Sequence, residues 1–158
     1  MSSLQPTIRR AQGVDLPDVL ALLEGAGLPT ADLTSASDLQ LWVFEENVTI
    51  VGLIGMERFG GCALLRSLAV GPSYQRRGFG HALVSRLECE AQTEGVEQLL
   101  LLTETAEGFF RAIGYEVIDR CAVPEGIKQS AEFRSLCPAS AVCMTKVLAS
   151  SRAGASHG

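Results

Sequence analysis

At 158 residues, 47% hydrophobic and 20% charged, the chain suits one globular domain with a substantial core and leaves little room for a second. Its net charge of −5 excludes the broad basic face by which proteins hold nucleic acid, and no run reaches the roughly 18–20 apolar residues that cross a membrane. The start MSSLQPTIRR lacks the order of a signal peptide, so a cytoplasmic protein is expected; Cys62, Cys89, Cys121, Cys137 and Cys143 show no Cys-x-x-Cys spacing, which suggests reduced thiols and neither a disulfide framework nor a metal site.

Thr7–Ala11 reads as a first strand. Asp15-Leu16-Pro17-Asp18 reads as a helix start with Asp15 as N-cap and Pro17 in the first turn; Val19, Leu22 and Leu23 supply its buried face, and Gly25 and Gly27 end it. Leu39–Glu45 and Val48–Met56 are two strands joined at Glu46-Asn47, and Gly60-Gly61 turns the chain into Cys62–Val70, completing an antiparallel meander. Leu83, Val84, Leu87 and Ala91 then form the stripe of an amphipathic helix ending near Gly95, with Arg86, Glu90 and Glu94 on its other face. Gln98–Thr103, short and Leu-rich, is a buried strand, and the crossover from Val70 makes it a parallel neighbour of the strand before the helix. A short helix over Ala106–Ala112 stops at Gly114, and Tyr115–Ile118 and Ala141–Val147 are the last strands. Residues 1–149 are read as one domain, followed by a tail, SSRAGASHG, too poor in apolar residues to pack and expected to be disordered.

Ser67–His81, SLAVGPSYQRRGFGH, carries the most chemistry: an apolar strand ends at Gly71-Pro72, and Gln75-x-x-Gly78-x-Gly80 opens the amphipathic helix. Glycines there let the backbone approach a ligand closely. Unpaired N–H groups and the macrodipole at a helix start favour an anion, and Arg76 and Arg77 add positive charge, so a diphosphate fits. The bland alternative is a strand-to-helix connection with solvated arginines. The pattern is neither the dinucleotide fingerprint, which needs G-x-G-x-x-G directly after a strand, nor a Walker loop, since no Gly-Lys-Ser/Thr occurs.

Leu68-Ala69-Val70 followed by this loop resembles the acetyl-CoA signature Q/R-x-x-G-x-G/A of the GNAT N-acetyltransferase superfamily. Ala106-x-x-Phe109-Phe110-x-x-x-Gly114-Tyr115 resembles that superfamily's A-x-x-F-Y-x-x-x-G-F segment. The resemblance extends over Thr7 to Leu148 and implies an α+β fold of three layers, α/β/α, whose mixed, centrally splayed sheet of about six to seven strands is flanked by helices. It implies acetyl-CoA as cosubstrate and no metal. Leu68, Ala69 and Val70 would lend backbone hydrogen bonds to the pantetheine arm, and Gln75, Arg76, Arg77, Gly78, Phe79, Gly80 and His81 would hold the pyrophosphate. In that fold the strand before the loop carries a bulge, which would turn an N–H of Leu68, Ala69 or Val70 toward the thioester oxygen. Phe110 stands where the family often has a tyrosine able to protonate the leaving thiolate; it would pack against the pantetheine arm or the helix interior, and no general acid is named.

Two stretches resemble narrower groups. Leu101–Phe110, LLTETAEGFF, is similar to amino-acid N-acetyltransferases of the glutamate-acetylating branch, and Glu132–Met144 resembles small GNAT proteins encoded with arsenic-resistance genes. They imply direct acetylation of a small amino acid or analogue, an arsenic-bearing one included; dimers are common in the superfamily, so a homodimer is a further expectation. A two- or four-residue loop before Cys62 puts Glu57 on the face of Arg66, near where superfamily members often place a catalytic carboxylate, which makes Glu57 the candidate base for the ammonium. Arg66, the only charge in Cys62–Val70, would grip a substrate carboxylate or pair with Glu57. Thr103, Glu104 and Thr105 would line the acceptor side, Thr105 alternatively capping the next helix, and Arg134 and Cys137 would close the pocket. The competing readings are an acyl-CoA sensor without catalysis, a thiol-based arsenical binder and a protein-lysine acetyltransferase.

Overall fold

The computed structural model describes residues 7–26, 39–74, 78–129 and 141–148. Gly27, Gln75, Arg76, Arg77, Arg134, Cys137 and the tail lie outside them. Seven strands, β1 (Thr7–Arg10), β2 (Leu39–Glu46), β3 (Thr49–Phe59), β4 (Cys62–Val70), β5 (Gln98–Thr103), β6 (Glu116–Val117) and β7 (Val142–Val147), pair in the order β1-β2-β3-β4-β5-β7-β6. The helices are α1 (Leu16–Gly25), α2 (Phe79–Thr93), α3 (Glu107–Ala112) and α4 (Glu125–Lys128). The expected mixed sheet with helices is found. No helix among the described residues is long and apolar enough to cross a membrane. The chain divides into two compact units, Met1–Met56 with Ser67–Leu87 and Glu57–Arg66 with Glu88–Gly158, so β3, β4 and α2 each run through both.

In the first unit, strand alternation sends neighbouring residues to opposite faces. Val43, Leu53 and Ala69 form a buried cluster with Val19 and Leu23 of α1. The residues beside them turn the other way: Phe44 stacks on Phe79 at the start of α2 with ring centres 4.2 Å apart, and a Cβ on Gly52 would meet Leu83 Cδ1 at 3.2 Å. Trp42, Val43 and Phe44 are all buried because this part of the sheet is covered on both faces.

Asp15 occupies the N-cap position of α1, with Pro17 in the first turn as expected, but its side chain makes no capping bond to that helix. Instead its Oδ2 and Oδ1 accept from Arg9 Nη1 and Nη2 at 2.8 and 3.0 Å, and Gln12 N–H donates to Oδ2 at 2.7 Å. The guanidinium fork takes both oxygens, and the Gln12 N–H shares one of them in capping the 3-10 turn Gly13–Asp15. The β2–β3 turn is also displaced from expectation by one residue, to Asn47-Val48, with φ of 52° and 58°. Two consecutive positive φ values match the twist of a two-residue hairpin, and Asn47 suits them, whereas the β-branched, exposed Val48 does not.

In the second unit, β5 pairs in parallel with β4 over Cys62–Leu64 and Gln98–Leu100, and antiparallel with β7 along its whole length, from Gln98–Val147 to Thr103–Val142. Among the described residues, Leu101–Thr103 therefore have a ladder partner on one side only, the splay that the resemblance implies. Leu64, Leu100 and Cys143 pack with Val123 and Ile127, which arrive on the α4 segment that sequence patterning passed over. α2 closes in a Schellman motif at Gly95, where Val96 N–H donates to Ala91 O at 2.9 Å and Gly95 N–H to Gln92 O at 3.1 Å. Tyr115 is the expected core aromatic; its hydroxyl donates to Glu88 Oε2 at 2.9 Å, and Lys146 Nζ donates to the same oxygen at 3.1 Å.

The hydrogen bonds from Arg9 hold the Asp15 pKa below its usual value against the opposing effect of burial. A depressed native pKa contributes stability above the unfolded value and loses it as pH falls through the native one. Asp15→Asn is therefore expected to cost about 2 kcal/mol near pH 7, since hydrogen bonds to charged groups contribute roughly 1.5–3 kcal/mol. Denaturant unfolding from pH 7 to 3 should show the gap to wild type narrowing as pH drops below about 4. Val48→Gly relieves a strained turn and should raise the melting temperature by about 2–4 °C, as about 1 kcal/mol does in a chain of this size; calorimetry measures it.

Candidate functional site

β4 delivers the chain to the loop in the first unit. Phe59 and Cys62 flank a two-residue turn, so an unbroken register would set Gly71 opposite Ile50. Gly71 N–H instead donates to Val51 O at 2.8 Å, one residue off, and Ser67, at φ 64° and 9% exposed, is the only non-glycine residue of β4 in the left-handed region. One extra residue has been inserted there, which is a β-bulge. Beyond it Leu68 and Val70 are half-buried, while Ala69 returns to the core against α1.

Past Gly71, a short 3-10 turn (Pro72–Tyr74) leads toward α2. The ring of Phe79 is buried, sandwiched by Phe44 and by Tyr74 at 6.2 Å, so Phe79 anchors the helix start through its side chain and offers only its backbone to a ligand. Ala82 N–H donates to Gly78 O at 3.0 Å, and among the described residues the helical ladder begins there. Phe79, Gly80 and His81 form the first turn of α2. Gly78 is exposed with φ 81°, and among the described residues a Cβ there would have nothing within 4 Å. His81 is exposed. The positive end of a 15-residue helix, with its first backbone N–H groups, fits a diphosphate. Among the described residues no cluster of His, Cys, Asp or Glu is placed to hold a metal ion.

The second unit holds the candidate acid–base groups. With the Gly60-Gly61 turn two residues long, Glu57 and Arg66 share a face, and Arg66 Nη1 donates to Glu57 Oε1 at 3.2 Å. The Arg66 side chain is 0% exposed and that of Glu57 14%. Thr103 closes the next turn, its Oγ1 accepting from Ala106 N–H at 3.0 Å, and Ala106, not Thr105, is the N-cap of α3, with no side-chain capping bond among the described residues. Glu104 and Thr105 are exposed. Phe110 is buried and packs edge-on against Tyr115 and Phe109, with ring centres at 5.3 and 5.0 Å. Cys143 is buried, and burial pushes its thiol up to about 11.

Sequence reading overlooked Ser67, which no glycine marks, and Gly71, whose N–H reveals the register change. Val123 and Ile127, four apart around Pro124, were the available signal for the short helix that covers Leu64 and Leu100.

A family model described as an acetyltransferase (GNAT) domain matches residues 37–117. The uncharacterized N-acetyltransferase CT2212 of Chlorobaculum tepidum is 37% identical over 65 residues, 41% of this chain and 41% of its own length. An amino-acid acetyltransferase of Ectopseudomonas mendocina is 38% identical over 55 residues, 35% of this chain and 13% of its own. The structure of N-acetylglutamate synthase from Neisseria gonorrhoeae, complexed with coenzyme A and N-acetyl-glutamate, aligns with a TM-score of 0.78 at 21% identity, covering 94% of this chain and 36% of that one. The chain thus matches well under half the length of these relatives, and the likeness to the synthase is one of fold.

Gly78→Ala places a Cβ, with nothing among the described residues within 4 Å of it, on a backbone at φ 81°. The expected cost is about 1–2 kcal/mol from conformation alone, seen as a lower melting temperature with an unchanged far-ultraviolet spectrum.

Proposed function

The chain belongs to the GNAT acetyltransferase family, and on that premise we propose that it transfers an acetyl group from acetyl-CoA directly to the amino group of a small amino acid or analogue, an arsenic-bearing one included. The observation that carries the donor assignment is the helix N-terminus of α2 at Gly78, immediately downstream of a bulged β4. When bound there, acetyl-CoA supplies an activated thioester. The backbone at the start of α2, Gly80 and His81 included, would hold its diphosphate, and Gln75, Arg76 and Arg77, outside the described residues, would add side-chain contacts. The backbone of Leu68, Ala69 and Val70, re-aimed by the extra residue at Ser67, orients the pantetheine arm and donates to the carbonyl oxygen. Phe110, held edge-on by Tyr115, packs in the interior beside α3.

Transfer to an amine also needs the ammonium deprotonated, and Glu57 takes that proton directly or through water. It is the carboxylate of the β3–β4 hairpin with both partial exposure and a fixed orientation. Thr103, Glu104 and Thr105 lie at the end of β5 that is unpaired toward β4 and contact the acceptor, with Arg134 and Cys137 as further candidates outside the described residues. The names of the Ectopseudomonas enzyme and of the Neisseria synthase, with N-acetyl-glutamate in its structure, support an amino acid as the acceptor.

The test is thiol release from acetyl-CoA with glutamate, aspartate, arginine, phosphinothricin-like and arsenic-bearing analogues. Turnover with at least one, lowered by Glu57→Gln on the order of a hundredfold or more, is expected of a lost general base. Acetyl-CoA binding without thiol release for any amine would make the chain a sensor. Full turnover by Glu57→Gln at pH 7 would remove the base.

A further inference from the structure

Arg66 is buried too deeply for the substrate-gripping role that its charge suggests. Its side chain is 0% exposed, and its Nη1 donates to Glu57 Oε1 at 3.2 Å. Stability does not account for a cation there: a buried ion pair returns little more than the cost of desolvating its members, and apolar residues of the same volume often serve as well or better. Geometry does account for it. Glu57 has a side chain whose torsions leave the carboxylate free to swing, and an arginine bond to one oxygen narrows that freedom, since the planar guanidinium donates along fixed directions. The anchor is itself buried within β4, next to Ser67, whose φ is 64°.

We propose that Arg66 is a positioning residue that holds the Glu57 carboxylate in the orientation required to take a proton from the acceptor, and that it makes no contact with substrate. This rests on Glu57 being the base. Removing Arg66 then lowers kcat, because the base is misaligned, and leaves the KM of the acceptor in place, because no binding contact is lost.

A double-mutant cycle decides the matter. Glu57→Gln, Arg66→Gln, the double variant and Arg66→Lys are assayed for kcat and acceptor KM, with glutamate and arginine as acceptors, after circular dichroism and melting confirm folding. The expected results are a kcat loss of about tenfold or more for Arg66→Gln with KM within about threefold, partial recovery in Arg66→Lys, and no further kcat loss when Arg66→Gln is added to Glu57→Gln. If Arg66→Gln does not fold, Arg66→Lys, which keeps the cation and the stem, carries the same comparison in both backgrounds. A rise in KM for glutamate with kcat intact makes Arg66 a substrate contact, and additive kcat losses make it independent of Glu57; either overturns the proposal while Glu57 stands as base. Full activity in Glu57→Gln removes the base and is read from that variant alone.

Discussion

The arrangement of this molecule depends on how β4 manages the two-residue alternation of an extended strand. Up to Arg66 the strand keeps the register set by its two-residue turn, so that Glu57, Leu64 and Arg66 share one face. At Ser67 one extra residue enters, and from there Val70 lies opposite Gly52 and Ala69 reaches the α1 core. Without that insertion every side chain after Arg66 would exchange faces, because a shift of one residue is half the period of a strand. Apolar burial on two faces makes the exchange costly, and that cost holds Ser67 in the left-handed region.

The two tasks of the proposed reaction would fall to different kinds of group. Holding a polyphosphate would fall to the main chain at a helix start; the side chain of Phe79 is consumed in fixing that start against Phe44. Removing a proton would fall to a side chain, and a side chain must be held from outside itself. Tyr115, Glu88 and Lys146 make a comparable network in the second unit, where its effect is to tie the end of α3 to β7.

Much of this was legible because it is local. Glycines after a strand, a stripe at helical spacing and a Gly-Gly hairpin each act within a few residues, and the shared face of Glu57 and Arg66 followed from counting the turn. The misses have tertiary causes. Asp15 found Arg9, a partner no capping rule anticipates, and Val48 took a conformation its own propensity opposes because the neighbouring strands dictated the turn. Ser67 carries no composition signal, and the place of the bulge is fixed by its positive φ and by the mismatch between Gly71 and Ile50. The pattern of α4 amounts to one turn with one buried apolar residue, Ile127, too short for periodicity to register.

The burial of Cys143 bears on how the chain meets oxidants and other electrophiles. A thiol pushed up to about 11 keeps on the order of one molecule in ten thousand as thiolate at pH 7. Cys62, half-buried with its thiol also raised, is similarly muted. Of the four described thiols, Cys89 and Cys121 alone stand exposed, so chemical damage or deliberate labelling of the folded chain begins on its surface, away from the apolar cluster that seats β5.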